Sequence, residues 1–196
     1  MALALAEQGA AIALVARDKG ALTEVAELIR KGGGTAEIYA ADLTDEASVA
    51  ALERDVIARF GKVQILINNA GMNLRKKIHE FSLAEWKQVV DTNLTSVFLM
   101  CRAFVPHMKG QGYGRIFNMT SIMAHVSLPE RTAYSSTKAA LLGLTKSLAL
   151  ELAPDGITVV GISPGPFLTE MNLPITQDAE KNAMFLSKIP AGRWGD

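Results

Sequence analysis

A regular alternation of short apolar runs with longer amphipathic segments is the feature that most constrains the fold. The short runs are rich in aliphatic and β-branched residues, as buried strands are, and they lie at 11–16, 36–40, 63–67, 115–119 and 157–162. Between them the apolar residues recur at helical spacing. Strands that alternate with helices of this length form βαβ units. The sequence therefore predicts an α/β protein in which helices cover both faces of a parallel sheet.

Local signals set the ends of the predicted helices. Thr44 is the expected N-cap of a helix that runs to about Phe60. Ser82, with Glu85 three residues later, predicts a capping box for a long helix that reaches about Met108. Further helices are expected over 19–31, 133–153 and 178–186.

Size and composition narrow the class of protein. The 196 residues fit a single domain, 1–196, with a sizeable core, since 49% of them are hydrophobic. A formal net charge of +0 provides no field that would attract nucleic acid or an anionic membrane, and no run approaches the ~18 apolar residues of a membrane span. The single cysteine, Cys101, lies among apolar residues, which favours a packing role and a cytoplasmic location. We expect a small-molecule ligand, with no nucleic acid or membrane partner.

Polar residues and turn residues follow the predicted strands at their carboxyl ends. They are Arg17 with Asp18, Asp42 with Leu43, Asn68 to Gly71, Ser121, and Pro164 to Pro166. The carboxyl ends of parallel strands meet at one edge of the sheet, where the ligands of open α/β sheets bind. The sequence therefore predicts a functional site at this edge.

Tyr134 and Lys138 are the main candidates for chemistry. Four residues apart on a predicted helix, they lie on one face, one turn from each other. A phenol loses its proton only near pH ~10, and a neighbouring ammonium stabilises the phenolate. Ser121, which precedes this helix, places a hydroxyl near the phenol. Asn93 lies within an otherwise apolar helix, where it is either functional or simply solvent-facing.

Together, these segments resemble the short-chain dehydrogenase/reductase family. The matching residues are Asn68-Asn69-Ala70-Gly71, Asn93, Ser121, Tyr134 to Lys138, and Pro164-Gly165-Pro166 with Thr169, in family order and spacing. The resemblance covers essentially the whole chain. The stretches 68–81 and 193–196 are most similar to bacterial gluconate 5-dehydrogenases and 3-oxoacyl-acyl-carrier-protein reductases. A Rossmann-like, doubly wound fold is implied, with hydride transfer by a nicotinamide cofactor.

The resemblance also implies a role for each catalytic residue. Tyr134 would be the general acid/base on the substrate oxygen. Lys138 would favour its phenolate form and bind the nicotinamide ribose, and Ser121 would hydrogen-bond the reacting oxygen. Asn93 would hold a water that links Lys138 to solvent. The expected reaction interconverts a small carbonyl compound and a secondary alcohol.

Cofactor contacts are expected along the same edge. The resemblance implies that Asn69, Ala70 and Gly71 pack under the cofactor. It also implies that Pro164, Gly165 and Thr169 contact the nicotinamide. The residue after the first predicted strand approaches the adenosine ribose. Arg17 there suits the 2′-phosphate of NADP, the expected cofactor, while Asp18 leaves NAD as the alternative. Asp42 and Leu43 look like the family's adenine contact, although Asp42 is equally interpreted as an acid at a helix start.

Two parts of the family fold have no counterpart in the sequence. They are the first strand with its glycine-rich turn and the last strand, and 1–8 is interpreted as the second half of the first helix. In the family the first strand lies at the sheet centre, between the strands expected at 11–16 and 63–67. Its absence would leave unpaired backbone groups on both. The sequence is therefore interpreted either as part of a longer protein, in which the reaction is expected, or as a fragment that is not a competent enzyme. On its own, the 196-residue chain is expected to be poorly stable and inactive.

An alternative function belongs to a different class. The chain would be a truncated, non-catalytic family member that binds no nucleotide and keeps the helical assembly surface. In the family, the helices expected at 82–108 and 133–153 pack against a second subunit. The resemblance thus implies a homodimer or homotetramer through these helices.

Overall fold

The structure, a computed structural model, describes residues 1–169 and 172–195 and confirms the predicted α/β class. Its strands are β1 (Ile12–Ala16), β2 (Ala36–Ala40), β3 (Ile65–Asn68), β4 (Gly114–Met119) and β5 (Ile157–Ile162). Its helices are α1 (Ala2–Glu7), α2 (Lys19–Lys31), α3 (Glu46–Phe60), α4 (Leu83–Val90), α5 (Ser96–Phe104), α6 (Thr132–Leu152), α7 (Leu173–Thr176) and α8 (Ala179–Leu186).

All strand pairs are parallel and form two sheets. In the first, β1 pairs with β2, with Ile12 opposite Ala36. In the second, the order is β3-β4-β5, with Ile65 opposite Arg115. The larger core cluster combines apolar residues of α3, α5 and α6 with those of the second sheet, and α2 packs with β1 and β2 in a smaller cluster. Because the paired strands are parallel, their carboxyl ends lie at the same edge of each sheet, which is the edge where sequence analysis places the site.

A cleft of about 1390 Å³ lies between the two sheets. It is lined on one side by β1 and on the other by β3, and by apolar side chains that include Val97, Met100 and Phe104. β1 and β3 do not pair with each other, so the backbone of each carries one edge that faces the cleft.

The expected cap of α3 is wrong by one residue. Asp45 is the N-cap, and its carboxylate accepts a hydrogen bond from the Ser48 N–H at 2.9 Å. Thr44 instead donates its N–H and its hydroxyl to Asp42 Oδ1, at 2.9 and 2.7 Å. Both Thr and Asp are suitable N-caps, and the sequence does not show which of two neighbours leaves the helical conformation.

The long helix expected over 82–108 is interrupted. Its start is as expected, because the Ser82 hydroxyl accepts from the Glu85 N–H at 3.2 Å and Glu85 accepts from the Ser82 N–H at 2.9 Å. Between α4 and α5, however, Asp91–Thr95 form a π-helical turn. Such turns are frequent at functional sites, and this one contains Asn93.

Candidate active site

Lys138 lies at the centre of the candidate site. Its side chain is 4% exposed, and its ammonium donates a hydrogen bond to the Met119 carbonyl, at the end of β4, at 2.6 Å. The Lys138 Nζ atom is 5.7 Å from the centre of the Tyr134 ring, one turn earlier on α6. Burial lowers the pKa of Lys138 to about 8. The pair predicted from sequence spacing is therefore brought together at the carboxyl edge of the sheet.

Asn93 is fully buried, so the solvent-facing alternative is wrong. Its Oδ1 atom accepts from the Met72 N–H at 2.7 Å, and its Nδ2 donates to the Met72 carbonyl at 2.9 Å and to Thr137 Oγ1 at 3.1 Å. Thr137 precedes Lys138 on α6. Asn93 thus connects the loop after β3 to α6.

Ser121 follows β4 and caps a short 3₁₀ turn. Its hydroxyl oxygen accepts from the Met123 N–H at 3.1 Å, which leaves the hydroxyl proton available to donate to another group. The next residue, Ile122, donates its N–H to the Pro164 carbonyl at 3.0 Å. This bond holds the segment after β5 beside Ser121. Gly165 and Thr169 lie exposed on that segment.

Gly71 lines the cleft and lies beside the side chains of Asn93 and Lys138. A Cβ atom at this position would lie 3.3 Å from Asn93 Oδ1 and 3.6 Å from Lys138 Nζ. The cleft is lined by Asn69, Ala70 and Gly71, so the loop after β3 contacts both regions. A side chain at 71 would crowd Asn93 Oδ1 and contact the Lys138 ammonium.

Sequence reasoning missed a buried polar chain that crosses the second sheet. Asn68 Nδ2 donates to Asn118 Oδ1 at 2.9 Å, and Asn118 Nδ2 donates to Thr145 Oγ1 at 2.9 Å. Thr145 in turn donates to the Leu141 carbonyl at 2.7 Å. These bonds tie β3 and β4 to α6 beneath the site. The available signal was Asn118 itself, a polar residue inside the apolar run 115–119.

The far end of the cleft carries the residues expected to select the cofactor. Arg17 is exposed and lines the cleft after β1. Asp18 is the N-cap of α2, and its Oδ1 atom accepts from the N–H groups of Gly20 and Ala21 at 2.8 and 3.1 Å. Asp18 therefore caps the helix and also lines the cleft, beside Arg17.

Asp42 and Leu43 also line this end of the cleft. Hydrogen bonds from the Thr44 hydroxyl and N–H, and the nearby Arg17 charge, hold the pKa of Asp42 below its usual value. Because Asp45 caps α3, Asp42 lies outside the helix start. The helix-start interpretation of Asp42 is thus wrong, and the adenine contact stays a prediction.

Cys101, possible metal sites and possible membrane spans were examined for other functions. Cys101 packs in the larger core cluster, where burial raises the pKa of its thiol to about 11, so its packing role is as expected. Within residues 1–169 and 172–195, no group of three His, Cys, Asp or Glu side chains is placed to hold a metal ion. No helix in the same ranges has both the length and the apolar character of a membrane span.

Open parallel sheets with polar residues at their carboxyl edge are typical of nucleotide-dependent α/β enzymes. The chain belongs to the short-chain dehydrogenase/reductase family, a family of oxidoreductases: the family model for short chain dehydrogenases matches residues 1–180. A gluconate 5-dehydrogenase from Gluconobacter oxydans is 35% identical over 199 residues, which cover 100% of this chain and 76% of that protein. A 3-oxoacyl-acyl-carrier-protein reductase from Staphylococcus aureus is 35% identical over 196 residues, which cover 100% of this chain and 79% of that protein.

A solved structure supports the fold. The crystal structure of a gluconate 5-dehydrogenase from Burkholderia cenocepacia, in complex with NADP and tartrate, is 34% identical and superposes with a TM-score of 0.94. The match covers 99% of this chain and 76% of that chain. The Rossmann-like fold predicted from the sequence is thereby confirmed.

Proposed function

We propose that this protein is an NADP-dependent oxidoreductase that interconverts a small carbonyl compound and a secondary alcohol. The observation that carries the proposal is the arrangement around Lys138, whose buried ammonium lies 5.7 Å from the centre of the Tyr134 ring. Ser121 follows β4 two residues after the Met119 carbonyl that Lys138 contacts. A phenol, an ammonium and a hydroxyl at one sheet edge are suited to proton transfer.

In the direction of reduction, Tyr134, Lys138 and Ser121 have separate roles. The Tyr134 hydroxyl gives a proton to the carbonyl oxygen of the substrate, and the Lys138 ammonium stabilises the phenolate that remains. The Ser121 hydroxyl donates a hydrogen bond to the same oxygen while charge develops on it. Bound NADPH supplies the hydride that reduces the carbonyl carbon.

Asn93 acts in this scheme by positioning other groups. Both N–H groups of its amide are donated to protein atoms, one to the Met72 carbonyl and one to Thr137. They hold the loop after β3 against α6 and so fix Gly71 beside Lys138. The water that would link Lys138 to solvent stays a prediction.

The residues at the cleft fit a dinucleotide that carries a 2′-phosphate. One oxygen of the Asp18 carboxylate, Oδ1, caps α2, so less of this carboxylate is available to accept from a ribose hydroxyl. Arg17 is exposed beside the cleft, and a guanidinium matches a phosphate in charge and geometry. Pro164 and the exposed Gly165 and Thr169 are the proposed contacts of the nicotinamide end.

Arg17→Ala is expected to weaken NADPH binding by about tenfold and to leave NADH binding unchanged, because it removes a charge-assisted hydrogen bond to the phosphate. Titration by nicotinamide fluorescence measures both affinities. Asp18→Asn is the matched control, since Asn also caps helices, and it should change neither affinity. A wild-type protein that prefers NADH, with a preference that Arg17→Ala does not alter, would reverse the cofactor assignment.

The substrate is proposed to be a small molecule of the kind that the relatives' names indicate. Gluconate is a polyhydroxy acid, whereas a 3-oxoacyl group on a carrier protein is a thioester on a large partner.

The test of the function is whether the protein oxidises NADPH only when a ketone is present, with a 5-oxo sugar acid and a 3-oxoacyl thioester among the compounds tried. Absence of both NADPH binding and NADPH oxidation would support the non-catalytic alternative.

Assembly through the helices at 82–108 and 133–153 stays a proposal, as does a location in the cytoplasm. Exposed apolar side chains on these helices support the assembly: Phe98 on α5 is 47% exposed and Leu150 on α6 is 81% exposed. Burial of such side chains against a second subunit is favourable. We propose a homodimer or a homotetramer.

A further inference from the structure

His125 forms a hydrogen bond at the edge of the candidate site that the scheme above does not use. It lies at the end of the short 3₁₀ turn that Ser121 caps, four residues after Ser121. Its Nε2 atom is 3.0 Å from the Oγ atom of Ser163, the residue directly after β5. The other two histidines, His79 and His107, lie within 4.0 Å of glutamate carboxylates instead. His125 is thus tied to an uncharged hydroxyl on a second loop of the site.

The bonds around Ser163 determine which atom donates in each of them. Thr120, which is 4% exposed and directly follows β4, donates its hydroxyl proton to the Ile162 carbonyl at 2.8 Å, because a carbonyl oxygen can only accept. Thr120 Oγ1 therefore accepts in its 2.6 Å contact with Ser163 Oγ, so Ser163 is the donor there. Since its one proton is used, Ser163 accepts from His125, whose Nε2 atom carries a proton.

This direction excludes one function and leaves another. A serine beside a histidine is activated as a nucleophile only when the ring nitrogen that it contacts is free to accept its proton. Here Nε2 of His125 donates, so Ser163 is not activated. The bonds instead form a chain of donors that runs from the exposed His125 to the buried Thr120. Such a chain is suited to holding one loop against another.

The two loops that the chain connects have separate roles in the proposed reaction. The loop after β4 carries Ser121, the proposed donor to the substrate oxygen. The loop after β5 carries Pro164, a proposed nicotinamide contact that directly follows Ser163. The backbone also joins these loops, because the Ile122 N–H donates to the Pro164 carbonyl at 3.0 Å. The side-chain bond of His125 therefore adds to a short set of contacts that fixes the spacing of Ser121 and Pro164.

We propose that His125 is a positioning residue for hydride transfer: through Ser163 it holds the nicotinamide side of the site at a fixed distance from Ser121 and the substrate oxygen. This inference rests on the proposed function. Reacting atoms must lie about 3–3.5 Å apart, and a displacement of about 1 Å can lower the rate on the order of 10²-fold. His125 acts by geometry and neither gives nor takes a proton in the reaction.

Amide hydrogen exchange tests the tie in the cofactor-free protein, without turnover. His125→Leu, which has no donor, is expected to speed exchange of the Ile122 N–H by about three- to tenfold, the usual contribution of one hydrogen bond. His125→Gln, which can place an amide N–H near the Nε2 position, should exchange as wild type does. His79→Leu is the matched control, because His79 is exposed on a separate 3₁₀ turn, and it should have no effect.

The same measurement recognises a merely structural role. Val56 lies in the core of α3, away from the loops of the site. Equal acceleration of the Val56 and Ile122 N–H groups in His125→Leu would show a general loss of stability and would overturn the proposal. No acceleration at Ile122 would overturn it as well.

The single-turnover rate of hydride transfer is the second readout. It is measured with the protein saturated with NADPH and in excess over a ketone, so that the rate constant does not depend on the fraction of folded protein. His125→Leu should lower this rate constant by at least about tenfold, and His125→Gln should restore most of it. NADPH deuterated at the transferable position should slow the step, which identifies it as hydride transfer.

A double-mutant cycle shows whether His125 acts through Ser163. Ser163→Ala should lower the rate constant as His125→Leu does, and the double variant should lose no more than either single variant, because all three lack the same bond. Additive losses would contradict a shared role and overturn the proposal.

Failure of this inference is distinguishable from failure of the proposed function. Faster exchange at Ile122 in His125→Leu, in a protein that never oxidises NADPH with a ketone, would confirm the tie and overturn the proposed function. Ketone-dependent oxidation of NADPH with an unchanged single-turnover rate in His125→Leu would support the proposed function and overturn the positioning role.

Discussion

Replacing Tyr134 with phenylalanine is expected to lower turnover by ~10²–10⁴-fold, the usual contribution of general acid/base catalysis. The substitution removes only the hydroxyl that gives or takes the proton. The ring that lies 5.7 Å from the Lys138 ammonium stays in place. NADPH affinity should therefore remain close to that of wild type, so that the loss is confined to the chemical step. Steady-state rates with a fluorescence titration of NADPH separate the two effects.

Tyr113→Phe is the matched control for this substitution. Tyr113 lies just before β4, at the opposite end of the strand from Ser121, and its ring packs against the Arg115 guanidinium at 4.3 Å. Loss of its hydroxyl should leave turnover unchanged. Near-wild-type turnover by Tyr134→Phe, in a protein shown to bind NADPH, would remove Tyr134 from the mechanism and leave the family fold alone.

Lys138→Met is expected to reduce both turnover, by ~10²-fold or more, and NADPH affinity, by about tenfold, because it removes a charge that acts on Tyr134 and on the cofactor. Lys146→Met, on an exposed position two turns later on α6, is the control and should change neither. A Lys138→Met variant that lost turnover but kept its NADPH affinity would exclude the proposed ribose contact.

The pH dependence of stability has a definite sign at Lys138. Its pKa is about 8 in the folded protein, against a usual value of 10.5, because burial disfavours the ammonium. Between these values the unfolded chain binds more protons, so stability of the cofactor-free protein should rise with pH across this window, by on the order of 3 kcal/mol. Lys138→Met should remove this rise. Over the same range, NADPH affinity of wild type should fall as the ammonium is lost.

The parts of the site that sequence could predict are those set by local spacing. Tyr134 and Lys138 share a face because they are four residues apart on one helix, and Ser121 reaches the sheet edge because it follows a strand. Both positions follow from periodicity alone. The parallel strands were also predicted from the pattern of apolar residues. Their register places the polar residues at their carboxyl ends along a common edge of the sheet.

The parts that sequence could not predict depend on contacts between distant segments. Asn93 bonds to Met72 and Thr137, 21 and 44 residues away, so helical periodicity could not tell a buried positioning role from a surface one. Asn118 meets Asn68 across a separation of 50 residues. Arg131 was not singled out by sequence analysis, and its burial depends on tertiary packing.

The most direct test of the central claim follows the two hydrogens that the reaction delivers. NADPH deuterated at the transferable position of its nicotinamide is incubated with the protein and a ketone substrate, and the product alcohol is analysed by mass spectrometry. We expect one deuterium on the new carbinol carbon of each product molecule, with the hydroxyl proton supplied through Tyr134 from solvent. Product formed without deuterium on carbon, or no deuterated product under conditions in which NADPH is bound, would contradict the assignment of this protein as a hydride-transferring oxidoreductase.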